Sequence, residues 1–197
     1  MTEPIYVVTD IEVDGPWPGP SSMRSFASVA VTAAGDVRGE FQAVLEPLPG
    51  AQPNPDTHAW FQTQPQAWAA ATRDPRPVPV VLDDYAQWVL SLGADRHFVA
   101  SPLAFDGGWI DYYLRRFTQY AVCQGPYETD RLFHGPGVCL MSLACGATGG
   151  DPATFSVHQL PTEWFGDVPH THEAIDDARG YANLLVTLLG RRAATAR

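Results

Sequence analysis

The chain of 197 residues contains no lysine: its 12 basic residues are all arginine, against 22 aspartates and glutamates, and the formal net charge is −10. Such a chain does not steer toward nucleic acid at long range and would need a local arginine patch or bound cations to draw it, which counts against a non-specific DNA-coating protein. It leaves open a metal-dependent nuclease, because carboxylates that hold divalent cations count as negative charge in the sequence and present positive charge once loaded. Cysteine is nearly as scarce. Cys123, Cys139 and Cys145 form no CxxC pair, which argues against a disulfide framework or a zinc knuckle and reads as three buried thiols. No apolar run reaches the roughly 20 residues that a membrane span requires, and the N-terminal "MTEPIYVVTD" lacks the basic and apolar regions of a secretory signal. The expectation is a cytoplasmic, membrane-free, single domain over residues 1–197.

Strand and helix signals then alternate. "PIYVVTDIEV" reads as a first strand, and "MRSFASVAVTAAGDVRGEFQAVLEPL" as a hairpin turning at Gly35 and Asp36. "THAWFQTQPQAWAAAT" suits a short helix bearing Trp60, Phe61 and Trp68. In "LDDYAQWVLSLG", Leu82, Tyr85 and Val89 are at helical spacing, with Asp83 placed to cap and Gly93 to stop. "RHFVASPL" is strand-like, and the following Trp109, Tyr113 and Phe117 mark an amphipathic helix, so Asp106 falls where a strand hands over to a helix. A short helix is expected around Leu140 to Ala144. A last helix carries Ala174, Ala178, Tyr181, Leu185 and Leu188 on one stripe and is expected to close at Gly190 with Arg191 and Arg192. The pattern predicts an α/β domain with a mixed sheet opened by a meander and flanked by helices.

The acidic residues are placed unusually. In "VVTDIEVDG", Asp10, Glu12 and Asp14 occupy every second position at the end of a buried strand, on one face by the period of two. Asp106 stands at a second element end and Asp177 in the first turns of the last helix, with His172 nearby. Two divalent ions roughly 3.5 to 4 Å apart need oxygen ligands from separate segments, and phosphodiester hydrolysis also needs a base for the attacking water. Asp14 reads better as a turn residue beside Gly15, and Asp176 as a solvated charge at a helix N-terminus. His170 competes with His172 for the role of base. A zinc site built on both is set aside, because no thiolate or third histidine stands at suitable spacing. Arg115 and Arg116 read as a solvated face rather than as phosphate contacts. His58, His97, His134 and His158 belong to no motif.

In its motifs the chain resembles the DEDDh 3′–5′ exonucleases, a family that includes oligoribonuclease, RNase T and proofreading subunits of bacterial replicative polymerases. "DIEVDG" matches the family's Asp-x-Glu motif at Asp10 and Glu12, "AFDGGWIDYYL" the Phe-Asp motif at Phe105 and Asp106, and "HEAIDDA" the His-x-Ala-x-x-Asp-Ala motif at His172, Ala174, Asp177 and Ala178. Ser101 and Pro102 stand where many members carry a His-Asn pair. "AWFQTQ" looks like the Trp-Trp-x-x-Gln segment of a bacterial and phage branch that includes actinobacterial exoribonucleases, at Trp60, Phe61 and Gln64. The resemblance implies an RNase H-like fold and a catalytic site of Asp10, Glu12, Asp106, Asp177 and His172. It further implies two Mg²⁺ or Mn²⁺ ions on the four acids and a substrate contact at Trp60, Phe61 and Gln64. The implied activity is 3′–5′ exonucleolytic release of nucleoside 5′-monophosphates from the 3′ end of single-stranded RNA or DNA or short oligonucleotides, with RNA slightly favoured. A homodimer would follow by analogy with oligoribonuclease and RNase T. The alternatives are a catalytically silent RNase H-like module that binds nucleic acid or protein, and a proofreading exonuclease attached to a polymerase.

Overall fold

In a computed structural model that describes residues 3–195, five strands form one mixed sheet in the order β3-β2-β1-β4-β5. β1 (Ile5–Val13), β2 (Met23–Thr32) and β3 (Val37–Val44) make the antiparallel meander, and β4 (Arg96–Ala100) and β5 (Val138–Cys139) continue in parallel with β1. The hairpin between β2 and β3 turns through Gly35, whose φ of +95° suits a residue without Cβ. The helices among the described residues are α1 (Pro55–Gln62), α2 (Pro65–Thr72), α3 (Val78–Ser91), α4 (Gly108–Phe117), α5 (Leu140–Thr148) and α6 (Ala174–Thr195). None is long and apolar enough to cross a membrane.

Alternation along β1 decides which side chain meets which layer. Val7 and Ile11 join Tyr85 of α3 and Trp109 and Tyr113 of α4 in one core, whereas Val8 joins Leu140 of α5 and Ala178, Leu184 and Leu188 of α6 in the other. A strand covered on both faces reads as a continuous apolar run. Thr9, on the first face, is satisfied by Ser28 Oγ at 2.7 Å, which also lies 3.1 Å from the Tyr85 hydroxyl. Asp10 and Glu12 have the parity of Val8 and therefore belong to the α6 face.

The strand ends with a register shift between Glu12 and Val13, so that Asp14 leaves the row of its two neighbours. Asp14 is 2% exposed; its Oδ1 accepts the Ser22 N–H at 2.6 Å and its Oδ2 lies 3.6 Å from Arg24 Nη1. It is a buried anchor of the loop, more than the turn residue expected from sequence. Asp14→Ala leaves that N–H and the Arg24 guanidinium unpaired, and we expect a loss of about 3 kcal/mol in chemical denaturation.

Several sequence expectations are corrected. The segment around Trp60 folds as two helices, because Asn54 caps α1 and Pro65 opens α2. α3 begins at Val78, not at Asp83, because Pro79 fits a first turn and Val78 and Val81 extend the buried stripe. α6 runs through Gly190 to Thr195, since Leu184, Leu185 and Leu188 bury its face and outweigh the roughly 1 kcal/mol cost of one helical glycine; the Arg192 side chain lies outside those described. Of the three thiols, only Cys145 is buried; Cys123 is exposed and Cys139 half-buried.

Candidate active site

Four carboxylates converge where the C-terminal ends of β1 and β4 meet the start of α6. Because β1 and β4 are parallel, with Val8 opposite Val99, the end of β4 delivers its connection beside Asp10. That connection is a wide helical turn, Leu103–Gly107, which carries Asp106 inward before α4 begins. On α6, Asp177 lies one turn after Ala174 and one turn before Tyr181, on the helix's buried face. Ligand oxygens of Asp10, Glu12 and Asp177 lie within 4.8 Å of one another. Asp10, Glu12, Asp106 and Asp177 are between 5% and 9% exposed.

Such a cluster is electrostatically unfavourable as it stands. Burial, then Asp106, Glu12 and Asp177, holds the Asp10 carboxyl well above the usual carboxylate range. Burial, with Asp177 and Asp106, pushes Glu12 up to about 8. Asp106 is pushed up to about 7 by burial, against hydrogen bonds from its own N–H and that of Ser101. Asp106 Oδ2 is buried without a hydrogen-bond partner among the described residues, while Asp177 Oδ1 makes no aligned hydrogen bond and lies 2.8 Å from His170 Nδ1, which it holds above the ordinary histidine value. Arginine ion pairs go elsewhere: Arg24 to Asp14, Arg38 to Glu3, Arg76 to Asp84, Arg115 to Asp111 and Arg179 to Glu40. Hard oxygen donors, the orphaned Asp106 oxygen and four acids with one histidine as their only cationic partner among these ion pairs fit a divalent-cation site.

His172 lies on the loop leading into α6 with φ +59°, a left-handed conformation costing a side-chain-bearing residue about 1 kcal/mol or more. Thr171 secures this loop: its hydroxyl accepts the Glu173 N–H at 3.2 Å and lies 3.0 Å from Asp176 Oδ2. Asp176, expected as a solvated charge, is thus tied to Thr171, and it also pairs with Arg179. Burial and the neighbouring His170 push the His172 imidazole below its ordinary value, with Asp177 opposing. A base that is unprotonated near neutrality can accept a proton.

A cleft of about 360 Å³ opens beside the acids, lined by Glu12 and His172 together with Gln42, Arg73 and Glu173. Trp60 is 40% exposed, and its ring centroid lies 5.0 Å from that of His172, a cleft residue, in an edge-to-face arrangement. Phe61 is 1% exposed and packs against Trp60 and Trp68; it props the Trp60 ring and offers no open face of its own. Gln64 is half-buried at the turn between α1 and α2, and its side chain makes no capping hydrogen bond.

The fold also brings in residues that the sequence did not single out. Tyr181, expected only as core, has its ionisation raised by burial and then by its neighbours Asp10, Asp177 and Asp106. His158 comes from a separate turn to stand with its ring 5.4 Å from that of His170, a meeting without a local sequence signal. Arg73 is exposed in the cleft and forms no ion pair among the described residues; only its place in the fold distinguishes it from other arginines. Arg115 binds Asp111 and the Cys123 carbonyl, and Arg116 the Tyr112 hydroxyl, away from the acids.

No protein-family model and no curated protein matches the sequence. Solved structures do match in fold. Cell-death related nuclease 4 (CRN-4) superposes with a TM-score of 0.63 at 17% identity, covering 94% of this chain and 64% of that one. E. coli Exonuclease I in complex with a dT13 oligonucleotide gives 0.67 at 15% identity, over 98% of this chain and 43% of that one. The nuclease domain of 3′hExo, a DEDDh family member, bound to rAMP, gives 0.61 at 11% identity, over 95% and 92%. The chain therefore spans less than two thirds of the first two. The fold is the RNase H-like α/β fold of these exonucleases, as the sequence motifs led us to expect.

Proposed function

We propose that this chain is a metal-dependent 3′–5′ exonuclease that removes nucleoside 5′-monophosphates from single-stranded nucleic acid or short oligonucleotides. The observation that carries this reading is the convergence of buried Asp10, Glu12, Asp106 and Asp177 beside a cleft lined by Glu12 and His172, the latter in ring contact with Trp60. The structures it resembles include one that holds a dT13 oligonucleotide and one that holds rAMP, a single strand and a nucleoside monophosphate.

Two Mg²⁺ or Mn²⁺ ions held by the four acids would supply activation of the attacking water and stabilisation of the departing 3′ oxygen. His172 takes the water's proton, its position fixed by the Thr171 loop and its neutral state favoured by burial and by His170. Trp60 presents a ring on which a terminal base stacks whatever its identity. Gln64 adds a polar group from the adjoining turn. Arg73 supplies a cation for the phosphate backbone in a protein whose other arginines are mostly engaged.

Trp60→Ala is expected to weaken oligonucleotide binding by about 1 to 3 kcal/mol, seen in KM rather than in kcat. Arg73→Ala should lower the slope of log affinity against log salt by about 0.7, the signature of one lost phosphate contact. The function itself is tested by offering linear and circular single strands of RNA and DNA with Mg²⁺ or Mn²⁺. Stepwise shortening of the linear strands from the 3′ end, with circles untouched and RNA the faster substrate, is expected. Cleavage of circles would contradict an exonuclease, and equal rates on both polymers would contradict the RNA preference.

A further inference from the structure

We propose that His170, His172 and Asp177 form a second, nitrogen-rich metal site that takes Zn²⁺ or a similar borderline transition ion and inhibits the enzyme when filled. The sequence offers no thiolate or third histidine beside His170 and His172. The fold supplies the third ligand as a carboxylate: ligand atoms of His170, His172 and Asp177 all lie within 4.8 Å of one another.

Tetrahedral coordination at the usual zinc distances sets ligand atoms about 3.4 Å apart, so rotations of two half-exposed imidazoles close the set. His170 Nδ1 is already 2.8 Å from Asp177 Oδ1, yet that buried oxygen has no aligned hydrogen bond. The His170 and His172 rings are 4.4 Å apart between centroids, and the His158 ring is 5.4 Å from that of His170. His158, His170 and Asp177 also border a cavity of about 300 Å³, separate from the substrate cleft, which gives an ion and its remaining water a way in.

Two imidazoles and one carboxylate suit Zn²⁺ and Co²⁺, whereas Mg²⁺ prefers oxygen donors throughout. Asp177 belongs to both clusters and His172 is the proposed base, so an ion at the histidine site withdraws two groups from the reaction at once. The inhibitory consequence rests on the exonuclease reading; the binding does not.

The test titrates Co²⁺ into the full chain in the presence of excess Mg²⁺ and follows visible d–d absorption, with Zn²⁺ as displacing ion. One equivalent is expected to give a band that survives in Asp10→Asn and that requires at least about tenfold more Co²⁺ in His170→Ala. Absence of the band in folded protein, its indifference to His170→Ala, or its loss in Asp10→Asn would overturn the site. In the activity arm, Zn²⁺ should inhibit Mg²⁺-supported hydrolysis, and His170→Ala should raise the required Zn²⁺ by the same factor. Unchanged Zn²⁺ sensitivity in that variant would overturn the inhibitory role, while the Co²⁺ spectrum would still decide the site if the protein hydrolyses nothing.

Discussion

Glu12→Gln should slow hydrolysis by about 10³-fold or more and, in the same protein, make the metal-free state harder to unfold. The two effects have one cause. Burial, then Asp177 and Asp106, raises Glu12 to about 8, so without metal the folded chain keeps a proton that the unfolded chain has lost. With more protons bound in the folded state, stability falls as pH rises from the unfolded value of about 4.5 through about 8. A neutral amide of similar shape removes that penalty. The expected gain is about 4 kcal/mol at pH 8 in EDTA, dwindling to under about 1 kcal/mol at pH 5, by chemical denaturation. Saturating Mg²⁺ should narrow or reverse the difference, because only the wild type recovers binding energy from the ion. A variant less stable than wild type at pH 8 without metal would show that the cluster is held by compensating contacts. Asp14→Ala gives the opposite sign, since Asp14 is paired where Glu12 is not.

His172→Ala should cost about 10² to 10⁴ in kcat, the usual worth of a positioned base, and should change the shape of the pH profile. In the wild type two proton equilibria oppose activity at low pH. Cation binding must displace protons from Glu12 and Asp106, which lie near 8 and 7, and His172 must be neutral, which its lowered value allows below the ordinary histidine range. At limiting Mg²⁺ the acid limb should therefore fall between about pH 7 and 8, and at saturating Mg²⁺ it should move down until His172 sets it. In His172→Ala the metal-dependent limb should remain and the lower one vanish. A limb that ignores Mg²⁺ concentration would contradict proton-coupled metal binding.

The features legible in the sequence are those governed by local periodicity. Two-residue alternation put Asp10 and Glu12 on one face, and helical spacing put Asp177 on the stripe of Ala174 and Tyr181; both faces turned out to be the same side of the sheet. What periodicity could not show was set by pairing between distant segments. The register shift opposite β2 takes Asp14 away from the acids, which no reading of "DIEVDG" reveals. Phe61 and Trp60 are adjacent in sequence, yet packing on Trp68 buries one and leaves the other exposed against His172. His158 meets His170 only because a turn after α5 folds over the start of α6. The early start of α3 was missed for a local reason: a proline after position 77 marks a helix beginning as readily as a loop.

The central claim, that the acidic quartet is the seat of phosphodiester hydrolysis, is tested most directly by digestion of 5′-labelled single-stranded oligomers. Wild type and Asp10→Asn would be compared with Mg²⁺ or Mn²⁺ and with EDTA. A ladder shortening from the 3′ end, lost in Asp10→Asn and in EDTA while both proteins remain folded, is the predicted result. No shortening by folded wild type saturated with either metal would contradict the claim and leave an RNase H-like binding module in its place.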